Sequence, residues 1–160
     1  MNGRQIRRLI ICIALPLVTG ALSGYIIKDD ITGWYAQLQK PVFDPPNWLF
    51  APVWTLLYIL MGVSYFMIYE LKPDDTRAKA LLAFYVQLGL NFFWSIIFFN
   101  MHRPAAALLE IALLWVSILL MIFLFRKLNP LAAYLQIPYL LWVSFATLLN
   151  AAIWTMNQYG

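Results

Sequence analysis

The chain has 160 residues, room for one domain of ordinary size. Hydrophobic residues make up 63% of it, aromatics 17% and charged residues only 11%, with a formal net charge of +4. A soluble domain carries roughly 25% charged residues, so this balance points to lipid as the solvent and excludes intrinsic disorder; one cysteine (Cys12) and one histidine (His102) exclude a disulfide scaffold and a structural zinc site.

A membrane-spanning helix needs about 20 mainly apolar residues. The first such run covers 6–27, behind Arg4, Arg7 and Arg8. Its basic start and the Ala21-Leu22-Ser23 stretch resemble a signal peptide, but the apolar run is longer than such a peptide needs. Gly20 and Gly24 form a GxxxG pair, which lets two helices approach within the bundle or between copies. Leu22, Tyr25 and Lys28 match the loose cholesterol pattern. Residues 28–47 form a long connection. Connections of that length in a compact domain are functional or disordered. Here Pro41, Pro45 and Pro46 stand among Trp34, Tyr35, Phe43 and Trp48, which predicts an ordered cap on the mouth of a bundle.

The second run, 48–69, stacks Phe50, Trp54, Tyr58 and Met61 at near-helical spacing. The third, 80–101, places Gln87, Asn91 and Ser95 on one face, with Trp94 beside them. The fourth, 105–125, carries Glu110 and Ser117 on one face. Glu110 follows Arg103 closely enough that a paired or snorkelled carboxylate is expected. The fifth, 131–156, carries Trp142, Ala146, Leu149 and Asn150, with a kink expected at Pro138 because proline donates nothing to the helix ladder. The expected fold class is therefore all-α and integral to the membrane: one domain, five spans.

The basic residues fall at the ends of these runs, eight on one side and three on the other. That position explains the net charge better than a nucleic-acid partner does. The bias predicts the N-terminus inside and the C-terminus outside. Polar residues within hydrocarbon are costly and should face inward. The inward surface is then indole, phenol and phenyl rings with a few amides. It is either plain packing or a pocket for a flat, mostly apolar ligand. Trp34, Trp48 and Trp154 also fit interface anchors. No catalytic triad, carboxylate pair within a span, phosphate loop or metal cluster is readable. His102 reads as a solvated loop residue rather than a haem ligand.

Three segments carry a resemblance. The first reads Trp34-Tyr35-Ala36-Gln37-Leu38-Gln39-Lys40-Pro41, then Pro45-Pro46-Asn47-Trp48, Pro52-Val53-Trp54, Leu57-Tyr58 and Met61-Gly62. The second is Gln87-Leu88-Gly89-Leu90-Asn91 with Trp94-Ser95 and Phe98-Phe99. The third is Pro130-Leu131-Ala132-Ala133, Pro138-Tyr139-Leu140-Leu141-Trp142, Phe145-Ala146 and Leu149-Asn150. The chain resembles the translocator protein family, also called tryptophan-rich sensory protein or peripheral-type benzodiazepine receptor. The resemblance implies a five-helix bundle, often a homodimer, whose first loop closes over an internal pocket. It implies porphyrins such as protoporphyrin IX as ligands, benzodiazepine-type and isoquinoline carboxamide ligands, and no required cofactor. The pocket it implies includes Trp54, Asn91, Trp94, Trp142, Ala146 and Leu149, with Phe50 and Gly24 as further contacts.

Two departures bear on ligand choice. The cholesterol motif of animal members needs a Tyr and an Arg, and the stretch Leu149-Asn150-Ala151-Ala152-Ile153-Trp154-Thr155 has neither. Ala106 stands where animal members carry a pocket Trp. The basic N-terminus and the lack of an extended tail point to a prokaryotic plasma-membrane protein. The expected function is a porphyrin-binding receptor or sensor acting on tetrapyrrole or stress responses. The alternatives are light- and oxygen-dependent porphyrin breakdown and transport of porphyrins or other hydrophobic metabolites. Transport has no inverted-repeat signature in its favour.

Overall fold

The computed structural model describes residues 1–158. Five helical stretches are long and apolar enough to cross a membrane. Helix α1 covers Gly3–Asp30 and runs on into a π-helical turn, Ile31–Tyr35. Its start is fixed by a capping box: Gln5 N donates to Asn2 Oδ1 at 2.9 Å and Asn2 N to Gln5 Oε1 at 3.1 Å. At 1.5 Å per residue, its 28 residues exceed a hydrocarbon core of about 30 Å. The surplus projects at the far end. The predicted loop 28–47 is thus helical in its first part, and the irregular stretch shrinks to the residues before α2.

Helix α2 covers Asn47–Tyr69 and α3 covers Asp75–Ser95, followed by a second π-helical turn, Ile96–Asn100. Arg77 joins α2 to α3. Its backbone N–H is capped by Asp74 Oδ1 at 2.7 Å, and its guanidinium donates to the terminal carbonyls Tyr69 O and Ile68 O of α2. Helix α4, Pro104–Leu128, opens on a proline at its first position. The fifth span is broken in two, α5 at Pro130–Tyr134 and α6 at Ile137–Met156. The expected mid-helix kink at Pro138 is instead this break, with Pro138 in the first turn of α6, where a missing N–H does no harm. The freed carbonyl of Ala132 accepts from Ser64 Oγ at 2.6 Å, which ties α2 to α5.

The helices pack as a closed ring: α1 on α2, α2 on α5, α5 and α6 on α4, α4 on α3, and α3 back on α1 and α2. The closest approach is at Gly62 of α2, where a Cβ would strike the backbone of Ile13 and the Cys12 carbonyl. Pro16 makes that carbonyl available, because it withholds the N–H that Cys12 O would otherwise accept. Gly20 is filled in the same way by the Tyr58 ring, so the first glycine of the GxxxG pair serves packing inside the bundle. Gly24 meets nothing within 4 Å. The outer faces remain apolar, as on α4, where Leu109, Leu113, Val116 and Phe123 are exposed. Such a surface is stable only against lipid.

Candidate functional site: an indole-walled cavity under a cap

At the end of the bundle that holds the loop, α1, α2, the end of α3 and α6 diverge around a cavity of about 520 Å³. Helix α2 supplies Phe50, Trp54 and Tyr58, α3 supplies Trp94, and α6 supplies Trp142, Ala146 and Leu149. Gly20 and Gly24 of α1 complete the wall. The rings form one connected set. Phe50 meets Trp142 edge-on at 6.0 Å between centroids. Trp54 stacks on Tyr58 at 5.4 Å and meets Tyr139 edge-on at 6.2 Å. The Trp94 indole is held by its N–H, which donates to Asn150 Oδ1 at 3.1 Å, and Asn150 in turn donates to Pro104 O at 2.8 Å. Orientation of these rings is therefore fixed by protein partners, and all of them line the void except Tyr139.

Seven of the eight residues expected in the pocket reach this wall: Gly24, Phe50, Trp54, Trp94, Trp142, Ala146 and Leu149. Asn91 does not. Its Oδ1 accepts from Tyr58 Oη at 2.8 Å and its Nδ2 donates to Tyr139 Oη at 3.0 Å, so the amide is spent one layer behind the wall. Residues outside the expected set also line the void: Tyr35, Phe98, Phe145, Tyr58 and Gly20. The clue to Gly20 is its GxxxG spacing; the clue to Tyr35 is its place in the aromatic loop. Ala106 lies away from this cavity, on a second groove described below. The only charged side chain on the wall among the described residues is Lys28, whose ammonium sits 4.3 Å from the Tyr25 ring centroid.

The cap is ordered as expected. Tyr35 is buried and its hydroxyl donates to Asp44 Oδ1 at 2.8 Å. Trp34 stacks on His102 at 4.5 Å, and His102 Nε2 lies 3.1 Å from Asp30 Oδ1. His102 holds a left-handed φ of 55°, a conformation histidine tolerates better than most residues. The cap is tied to the end of α6, where Gln39 N donates to Asn157 Oδ1 at 3.0 Å and Asn157 Nδ2 donates to Gln39 O at 2.9 Å. Lys40 is turned inward over the Tyr35 ring, 4.9 Å from its centroid.

The polar stripe on α3 is buried as expected, but its members differ. Asn91 links two helices, Ser95 reaches the cavity, and neither amide atom of Gln87 has a partner among the described residues. Glu110 is not paired with Arg103. Its carboxylate oxygens are buried without a partner among the described residues. The reason is that Arg103 stands outside the ladder of α4, as its non-helical cap with φ −119°, and turns toward the second groove. No group of three metal-ligating side chains exists among the described residues.

Comparison with known proteins places this architecture. The sequence profile of the TspO/MBR family matches residues 12–155. The chain belongs to the TspO/MBR family. This TspO/MBR chain is 40% identical to the tryptophan-rich protein TspO of Archaeoglobus fulgidus over 96% of its length and 99% of that protein's. It is 36% identical to the translocator protein of Bos taurus, over 90% of this chain and 86% of the other. It is 35% identical to the tryptophan-rich sensory protein of Cereibacter sphaeroides, covering 86% and 84%. The family and the five apolar helices make it an integral membrane protein of the translocator and sensory kind.

Proposed function

We propose that this TspO/MBR chain is a membrane receptor that takes porphyrins, and flat drug-like amides of the benzodiazepine type, into the indole-walled cavity. The observation that carries this reading is the convergence of Trp54, Trp94 and Trp142 on one void. The volume falls within the roughly 300–1,000 Å³ of small-molecule pockets. A tetrapyrrole offers two flat faces to those rings, and its propionates find a cation in Lys28 at the rim. Lys40 and Arg103 are less suited to that task, since neither lines the cavity and Arg103 stands on the second groove. No cofactor is needed for such binding. The charge bias supports a cap on the outer side of a prokaryotic plasma membrane, with the N-terminus inside. Titration of the purified protein with protoporphyrin IX, followed by indole quenching, tests the assignment. Aromatic contacts are worth about 0.5–1.5 kcal/mol each, and a phenyl ring keeps part of what an indole makes, so Trp54→Phe with Trp142→Phe should weaken binding roughly three- to tenfold, below the full loss of two contacts. Unchanged affinity and quenching would remove the pocket from the account.

A second reading, light- and oxygen-dependent breakdown of the bound porphyrin, is favoured by one feature. Trp54 touches Tyr58 and Tyr139, and both phenols are bonded to Asn91, so an indole oxidised beside a photosensitiser has oxidisable neighbours. Illumination under air and under argon, with and without protein, separates protein-directed breakdown from photobleaching.

A further inference from the structure

A second concavity, of about 500 Å³, lies on the opposite side of the cap residues, between the α3–α4 turn, the start of α4 and the end of α6. Trp34 and Trp154 supply its indoles. Pro104, Ala105 and Ala106 line it with small apolar groups, and Arg103 and Gln158 supply its polar atoms, the Asn157 amide on the same wall being taken up by Gln39 and Ile153. Among the described residues no carboxylate is within ion-pair distance of Arg103, because the nearby Asp30 is committed to His102 and Asn100.

We propose that this groove binds an anionic phospholipid from the leaflet on the cap side. The charge pattern selects the headgroup. The Arg103 guanidinium, with the Gln158 amide beside it, fits a phosphodiester oxygen, for which arginine offers a matched fork of donors, and among the described residues no carboxylate lines the groove to hold the ammonium of a zwitterionic headgroup. The depth selects a lipid over a soluble anion. The groove lies at the helix ends on the rim of a lipid-facing bundle, and the indoles of Trp34 and Trp154 are side chains that sit at headgroup level. Ala105 and Ala106 are exposed and small, which leaves an apolar path for the start of an acyl chain down the side of α4. The groove shares no lining residue with the indole-walled cavity, so it stands whether or not porphyrin is the ligand there.

Native mass spectrometry of the full chain in detergent tests the site. The probes are palmitoyl-oleoyl phosphatidylglycerol, the phosphatidylcholine with the same chains, and glycerol 3-phosphate. A charge-assisted contact of this kind corresponds to roughly tenfold in affinity. The expected result is phosphatidylglycerol retained about tenfold better than phosphatidylcholine, with Arg103→Gln abolishing the difference. Ala106→Trp, which fills the groove without touching Arg103, should lower retention of both lipids. Lys127→Gln, at the other end of α4, should leave the preference intact. Circular dichroism melting of each variant checks that the fold is kept. Equal retention of the two lipids, or an Arg103→Gln variant that still prefers phosphatidylglycerol, overturns the proposal. Displacement of the lipid by glycerol 3-phosphate overturns it too, by making the groove a soluble-anion site.

Discussion

Tyr58 donates to Asn91 across 33 positions of sequence, at 2.8 Å between Oη and Oδ1, and that bond decides which of the two faces the cavity. The phenol reaches the void by its ring, while the amide behind it is closed off by Tyr58 on one side and Tyr139 on the other. Asn91→Leu should therefore act on stability before it acts on binding. An interhelical hydrogen bond within a membrane averages only roughly 0.6 kcal/mol. Stranding a buried polar group costs about 1–3 kcal/mol. Two hydroxyls are stranded here, so the stranding term dominates. Thermal unfolding in detergent should shift down clearly, and porphyrin affinity measured below the transition should change little.

The two glycines at positions 24 and 62 should behave oppositely. A Cβ at Gly62 meets the backbone of α1, which cannot rotate aside as a side chain would. Gly62→Ala should separate α1 from α2 and cost about 1–3 kcal/mol, as overpacked cores do. Gly24→Ala adds a methyl where nothing lies within 4 Å and should leave the melting temperature nearly unchanged. Parallel melting curves of the two variants compare them directly.

Asn157 holds the cap shut through two bonds to the backbone of Gln39. The pair joins positions 118 residues apart, and the same amide donates to Ile153 O at 2.7 Å, so its loss frees the cap and loosens only the last turn of α6. At about 0.5–1.5 kcal/mol for each bond, Asn157→Ala should speed porphyrin dissociation roughly five- to tenfold or more. Stopped-flow displacement would show it. An unchanged off-rate would mean that release does not pass the Gln39 latch.

The spans were legible because lipid demands long apolar runs and sets charges at their ends; nothing subtler was needed to find five of them. The cap was legible from its prolines and aromatics, but not the helical course of residues 31–35. Thr32, Gly33 and the neighbouring aromatics are poor helix formers. Packing of Trp34 on His102 and of Tyr35 on Phe99 overrides that preference. Periodicity placed Asn91 on the inward face correctly, yet a face is not a contact. Whether a side chain meets a void or a neighbour depends on what the next helix puts opposite it, here Tyr58. Glu110 fails to find Arg103 for a similar reason. Sequence spacing assumed one continuous ladder, and the ladder begins at Pro104.

The cavity wall also indicates how a ligand enters. Ala21 and Gly24 on α1, and Ala51 and Thr55 on α2, line the void and are exposed. Small, exposed residues of both helices on one wall fit a sideways opening of the cavity between α1 and α2, above the point where Gly62 meets the α1 backbone. The lips of that opening are small, and the surface around it is lipid-facing. A hydrophobic ligand dissolved in the bilayer then has a route that does not require the cap to lift. Ala51→Phe should narrow the gap while leaving the indoles in place. The expected outcome is slower porphyrin association from preloaded vesicles, by roughly fivefold or more, with little change in melting temperature. A latch that opens for release opens for entry too, so Asn157→Ala should speed association as well as dissociation, by adding a route under the cap to the one between α1 and α2. If Ala51→Phe leaves the association rate unchanged, all of the ligand passes under the cap and the side opening is merely a gap filled by acyl chains.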